Sequence, residues 1–163
     1  MVEPAEERRA GPEGPTRRQS RERALSLLYE AEMKGEPEAA VLAALPVRPD
    51  PFTRALVEGV AARRDEADAL VAAASVGWPL ERMAVVDRLV LRLAACELLD
   101  PDGPPVAVVI DEAVELAKTY STEESGGFVN GVLSTVAGQA RPRPGSHGGR
   151  RCYPRLLTVK RVP

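Results

Sequence analysis

Apolar residues recur along this chain every three or four positions and never in sustained alternation, the period of amphipathic helices packed on one face. In TRRQSRERALSLLYEAE, residues 16–32, Ala24, Leu28 and Ala31 form one apolar line flanked by Leu25 and Leu27, with Thr16 as N-cap. A short second helix begins near Pro37 and covers EAAVLAAL. Asp50 before Pro51 pairs an N-cap with a first-turn proline. It opens a long third helix with Phe52, Leu56, Val60, Ala67, Leu70, Val71 and Ala74 inward, closed by Ser75 to Trp78. PLERMA supplies a turn or two. VVDRLVLRLAACELLD then sets Val86, Leu89, Val90, Leu93 and Glu97 in helical register, with an apolar face wide enough for a central, buried helix. DPDGPP stops it. VAVVIDEAVELAKTYS repeats the pattern through Val109, Ile110, Ala113, Leu116, Ala117 and Tyr120. A last helix, from about Ser125, carries Phe128, Val129, Val132, Leu133 and Val136. Asn-Gly in FVNGVL is by itself a hairpin signal. Its flanks are too short for two strands, so the segment reads as helix, with Gly131 a close-packing position. The class is all-α, a single compact domain of six to seven helices.

Composition narrows what such a bundle can be. With 44% hydrophobic but only 4% aromatic residues among 163, the core is built from Leu, Val, Ile and Ala. No apolar run approaches the roughly 18 residues that span a bilayer, and MVEPAEERRAGPEGP lacks a signal-peptide block, so a cytoplasmic protein is expected. Pro and Gly break residues 1–15 and everything from Arg141 on, which predicts a disordered lead, a folded domain over 16–140 and a basic disordered tail over 141–163. Cys96 reads as a buried free thiol, while Cys152 and the lone His147 fall in the tail. Neither cysteine has metal-ligand spacing, and no phosphate loop or nucleophile elbow is present. Asp111, Glu112, Glu115, Glu123 and Glu124 read as solvated helix faces. No enzyme, cofactor or metal is expected.

Net charge is −2, but residues 141–163 hold seven basic and no acidic side chains, which leaves residues 1–140 at −9. Against that background Arg17, Arg18, Arg21 and Arg23 form a basic island at a helix start, where the macrodipole disfavours cations. Arg17, Arg21, Ala24, Leu28 and Ala31 step by four, three, four and three, so the first two extend the apolar stripe and should emerge at the core edge. Arg18 and Arg23 fall to either side. Such an island attracts a polyanion. The alternative is an ordinary polar helix start with Glu22 as local partner.

RRQSRERALSLLYEAE, VVDRLVLRLAACELL and VAVVIDEAVELAKTYSTEESGGFVNGVL, in this order, closely resemble the NusB family of bacterial transcription antitermination factors over about residues 16–138. The resemblance implies a fold of two small helical bundles that binds the boxA element of nascent RNA. It further implies a heterodimer with the small-subunit ribosomal protein NusE, assembly with the other Nus factors on RNA polymerase, and a role in transcribing ribosomal RNA operons. Members occur as monomers and as homodimers. The implied RNA contacts are Arg17, Arg18 and Arg21, with Arg23 widening the basic surface and Phe128 at the start of the last helix as the other wall. Phe128 either stacks on an unpaired base or packs in the core. Glu124 matches an acidic position beside the RNA, Asp87 one on the NusE-facing side, and Tyr29 a motif position that reads as packing. The chain departs from the family pattern at Gly126 and Gly127, where a basic residue is common. It also has Asp111 in place of Asn and Cys96 in place of an aromatic.

Three rivals remain. A NusB-like accessory domain of a ribosomal RNA cytosine methyltransferase would continue into a cofactor-binding α/β domain, which the sequence to Pro163 does not contain. A helical adaptor would bind only protein. A helix-turn-helix regulator would prefer duplex DNA.

Overall fold

The computed structural model describes residues 14–142, so most of the expected lead, and the tail from Arg143 on with His147 and Cys152, lie outside the described residues. Among the described residues there are six α-helices, one 3₁₀ turn at Leu80–Arg82, and no strand. Helix α1, Arg17–Lys34, starts on a capping box: the Thr16 hydroxyl accepts from the Gln19 amide at 3.2 Å, and the Gln19 side chain accepts from the Thr16 amide at 2.8 Å. It stops at Gly35, whose φ of 65° is the left-handed cap that glycine adopts without a Cβ penalty. Helix α2, Glu38–Ala44, follows Pro37. Helix α3, Pro51–Ala74, starts on Asp50 as expected and breaks its helical geometry at Arg63, where φ is −119°. Helix α4 is Val85–Leu99, α5 is Val106–Tyr120 and α6 is Glu123–Ala140. FVNGVL is helical throughout.

Helices α1, α2 and α3 pack on one another, as do α4, α5 and α6, and contacts of α1 and α3 with α4 join the two groups. Helix α4 is the centre. Leu89, Val90, Leu91, Leu93, Ala94, Ala95 and Leu98 are all buried, each Leu or Val stabilising the fold by about 1.5–3 kcal/mol. Cys96 is a free, buried thiol, and desolvation pushes its pKa up to about 12, which makes it inert as a nucleophile.

Charged side chains cross this core in pairs. Arg88 donates to Glu32 at 2.6 Å, tying the start of α4 to the end of α1. Arg92 donates to both oxygens of Asp68 at 2.6 and 2.8 Å, tying α4 to α3. Arg21 meets Glu97 near the other end of α4, so α1 and α4 run antiparallel. Helix α6 runs parallel to α4: Ser125 at its start bonds Asp87, and Arg141 at its end donates to the carbonyls of Glu97, Leu98, Asp100 and Pro104.

Three expectations are corrected here. Arg141, expected in the tail, is instead the clasp on the orphan carbonyls at the end of α4. A Cβ on Gly103 would come within 2.7 Å of that guanidinium and of the Glu97 carbonyl, so glycine is required beneath it. Gly131 is not a close-packing position, because it lies on the exposed face of α6 with nothing within 4 Å of where a Cβ would stand. Tyr29 does not pack inward: it is 43% exposed, one turn on from Leu25 at the edge of the buried stripe of α1.

Candidate nucleic-acid interface

The start of α1 lies against the start of α3. One oxygen of the Asp50 N-cap accepts from the Phe52 amide at 3.1 Å, the Thr53 amide at 3.0 Å and the Ser20 hydroxyl at 3.0 Å. The Thr53 hydroxyl shares its one proton between Asp50 and the Ser20 carbonyl. Burial acts to raise the Asp50 pKa, but the hydrogen bonds from Thr53, Ser20 and Phe52 together outweigh it and hold the carboxyl below its usual range. This lacing places the half-buried Phe52 ring beneath Arg17, whose guanidinium lies 4.0 Å from the ring centre.

The four arginines of α1 have four different situations. Arg17 is exposed above Phe52. Arg18 is exposed and pairs with Glu112 of α5 at 3.1 Å. Arg23 is exposed and makes no ion pair among the described residues. Arg21, expected to emerge at the core edge, is only 4% exposed and forks onto both Glu97 oxygens at 2.8 Å. The cause is Glu97 itself, which occupies the buried register of α4 directly opposite, and two desolvated charges are stable there only together. Arg21 therefore faces the protein core, while Arg17, Arg18 and Arg23 carry the surface charge. No acidic residue offsets the positive pole in the first turn of α1.

At the start of α6, Thr122 caps the helix and Glu123 and Glu124 lie exposed in its first turn, where acids balance the dipole. Phe128 is half-buried against the core. Gly126 is buried under the Lys118 stem, whose Cγ and Cε lie 2.9 Å from where a Cβ would stand, whereas Gly127 is exposed with open space around it. Asp87, expected on a partner-facing surface, is 8% exposed and accepts from the Ser125 hydroxyl at 3.0 Å. Its carboxylate turns inward because the first turn of α6 sits over it.

Helix register separates the two halves of the expected site. Arg21 is level with Glu97 and Ser125 with Asp87, ten residues apart on α4, or about 15 Å along its axis. Phe128 thus sits nearer the other end of the bundle from Arg17, and the two are not facing walls of one cleft. The sequence pattern does not place Phe52, Ser20 or Glu97 in this region. Glu97 alone carried a signal, a carboxylate in an otherwise apolar register.

A model of the NusB family matches residues 18–138. The chain is 47% identical over 130 residues to the transcription antitermination protein NusB of Salinispora tropica, covering 76% of this chain and 96% of that one. It is 48% identical over 128 residues to the protein of the same description from Saccharopolyspora erythraea, covering 75% and 86%. Among solved structures, T. maritima NusB superposes with a TM-score of 0.71 at 35% identity, over 78% of this chain and 94% of that one. A chain from the crystal structure of antitermination factors NusB and NusE in complex with dsRNA superposes with a TM-score of 0.65 at 26% identity, over 76% and 96%. From the arginine-rich start of α1 to the end of α6, in sequence and in helix arrangement alike, the chain belongs to the NusB family.

Proposed function

We propose that this chain is an antitermination factor that binds single-stranded boxA RNA together with NusE and helps RNA polymerase, with the other Nus factors, to transcribe ribosomal RNA operons. The observation that carries the RNA contact is the set of three exposed guanidiniums, Arg17, Arg18 and Arg23, at the positive pole of α1 on a body otherwise net negative. Family membership, and the solved relative that contains NusE and RNA, support the partner classes. Phe128, half-buried, offers one face to an unpaired base, and Glu124 flanks it with a charge that limits affinity there. Asp87 serves NusE through the shape of the α4–α6 junction, since its carboxylate is turned to Ser125.

A protein-only adaptor is the second reading, favoured by the two arginines that already have carboxylate partners, Arg18 with Glu112 and Arg21 with Glu97. Titrating labelled boxA RNA with the chain alone and with NusE separates the two. The RNA-binding proposal expects binding that tightens with NusE and is displaced by unlabelled boxA strand in preference to a duplex of the same sequence. Undetectable binding in both arms, with NusE still retained, would establish the adaptor.

A further inference from the structure

We infer that Phe52 is a positioning residue for RNA binding, its ring holding the Arg17 guanidinium so that the cation's in-plane N–H groups face solvent and a phosphate. This rests on the proposal that Arg17 contacts RNA. Three observations carry it. The Arg17 guanidinium lies 4.0 Å from the ring centre, within the range at which the quadrupole of the ring attracts a cation while leaving its donor edge free.

The backbone that carries the ring is fixed, and the half-buried ring packs against the core. Its backbone amide is bonded to Asp50, and Asp50 is bonded in turn to Ser20, on the same helix as Arg17 and one turn on. Thr53 adds a second link by donating to the Ser20 carbonyl. The platform and the cation it holds therefore move as one unit.

The same ring also lies 5.3 Å from the Arg21 guanidinium, and Glu97 pins that side chain in the core with two bonds. Arg21 cannot swing out to share a phosphate, so Arg17 is the only one of the two cations on the ring that faces solvent. A long side chain that would otherwise lose rotamer freedom on binding is thus ordered beforehand. The unfavourable helix-start charge noted in the sequence is partly relieved by the same ring.

Titration of boxA RNA by the full chain with NusE tests this, using Arg17→Ala, Phe52→Leu, the double variant and Phe52→Tyr, with Tm measured for each. Phe52→Leu is expected to weaken binding about three- to fivefold, the worth of an exposed cation–π contact. The double variant should bind no worse than Arg17→Ala, since the ring acts only through that arginine. Phe52→Tyr, which keeps the ring, should restore wild-type affinity. Strictly additive losses, or wild-type affinity for Phe52→Leu while Arg17→Ala is weakened, would overturn the role of Phe52 and leave the RNA contact standing. No effect of Arg17→Ala would instead overturn the RNA contact itself. Should Phe52→Leu fail to fold, Phe52→Met, whose unbranched, flexible side chain fills irregular space at about the same volume, takes its place with the same two outcomes.

Discussion

Arg21 is the most committed charge on α1. Its partner lies 76 residues away in sequence, so the stepping of apolar positions could put Arg21 in line with the stripe but could not show that a carboxylate waited there. The same limit hid Arg18 from Glu112 and Arg17 from Phe52. Periodicity reports the face a residue occupies, and the identity of what faces it is a tertiary fact. A buried pair of this kind is a weak source of net stability but a large liability when broken. Glu97→Ala should therefore destabilise the fold by about 3–5 kcal/mol by leaving Arg21 unpaired. Arg21→Met combined with Glu97→Leu should recover most of that loss. Urea unfolding of the three proteins checks the comparison, and a double variant no more stable than Glu97→Ala would show that the pair does more than satisfy itself.

Elements were far more legible than partners, because caps and breakers are local chemistry. Thr16 and Asp50 cap α1 and α3 as the sequence pattern predicts, and the central, nearly all-buried α4 follows from the width of its apolar face. Neither glycine nor proline marks the break in α3 at Arg63, so nothing local announces it. Gly131 misled for the opposite reason: a glycine inside a helix usually marks close approach, and here its surroundings are open. Gly126 and Gly127 divide the same way, one pressed against Lys118 and one facing solvent. Gly127→Lys should consequently stabilise α6 by about 0.5–1 kcal/mol through helix propensity. If the start of α6 lies along the RNA, that lysine also tightens boxA binding and steepens its salt dependence by about 0.7 in log–log slope. Thermal melts and RNA titrations of this one variant read the two effects separately, and a gain in Tm with unchanged RNA affinity would remove the start of α6 from the binding path.

At the scale of the whole molecule, the antiparallel α1–α4 and parallel α4–α6 pairings decide what one RNA strand can reach. They set the arginine island and Phe128 toward different ends of the bundle, so a strand touching both must run along it instead of lying in a cleft. The all-helical class, the order of elements and the NusB family were readable in the chain itself. Its long-range register was not, since no short motif records which ends of two helices meet.

The number of arginines available to phosphate is the central quantity, and the salt dependence of boxA binding by the complex with NusE measures it directly. The slope attributable to this island, taken as the difference between the wild type and a variant with Arg17, Arg18 and Arg23 all changed to Ala, should be about −2.1 on a log–log plot, three phosphates at roughly −0.7 each. That corresponds to about an eighteenfold loss between 50 and 200 mM salt. A slope unchanged in the triple variant would contradict a phosphate-binding role for these residues.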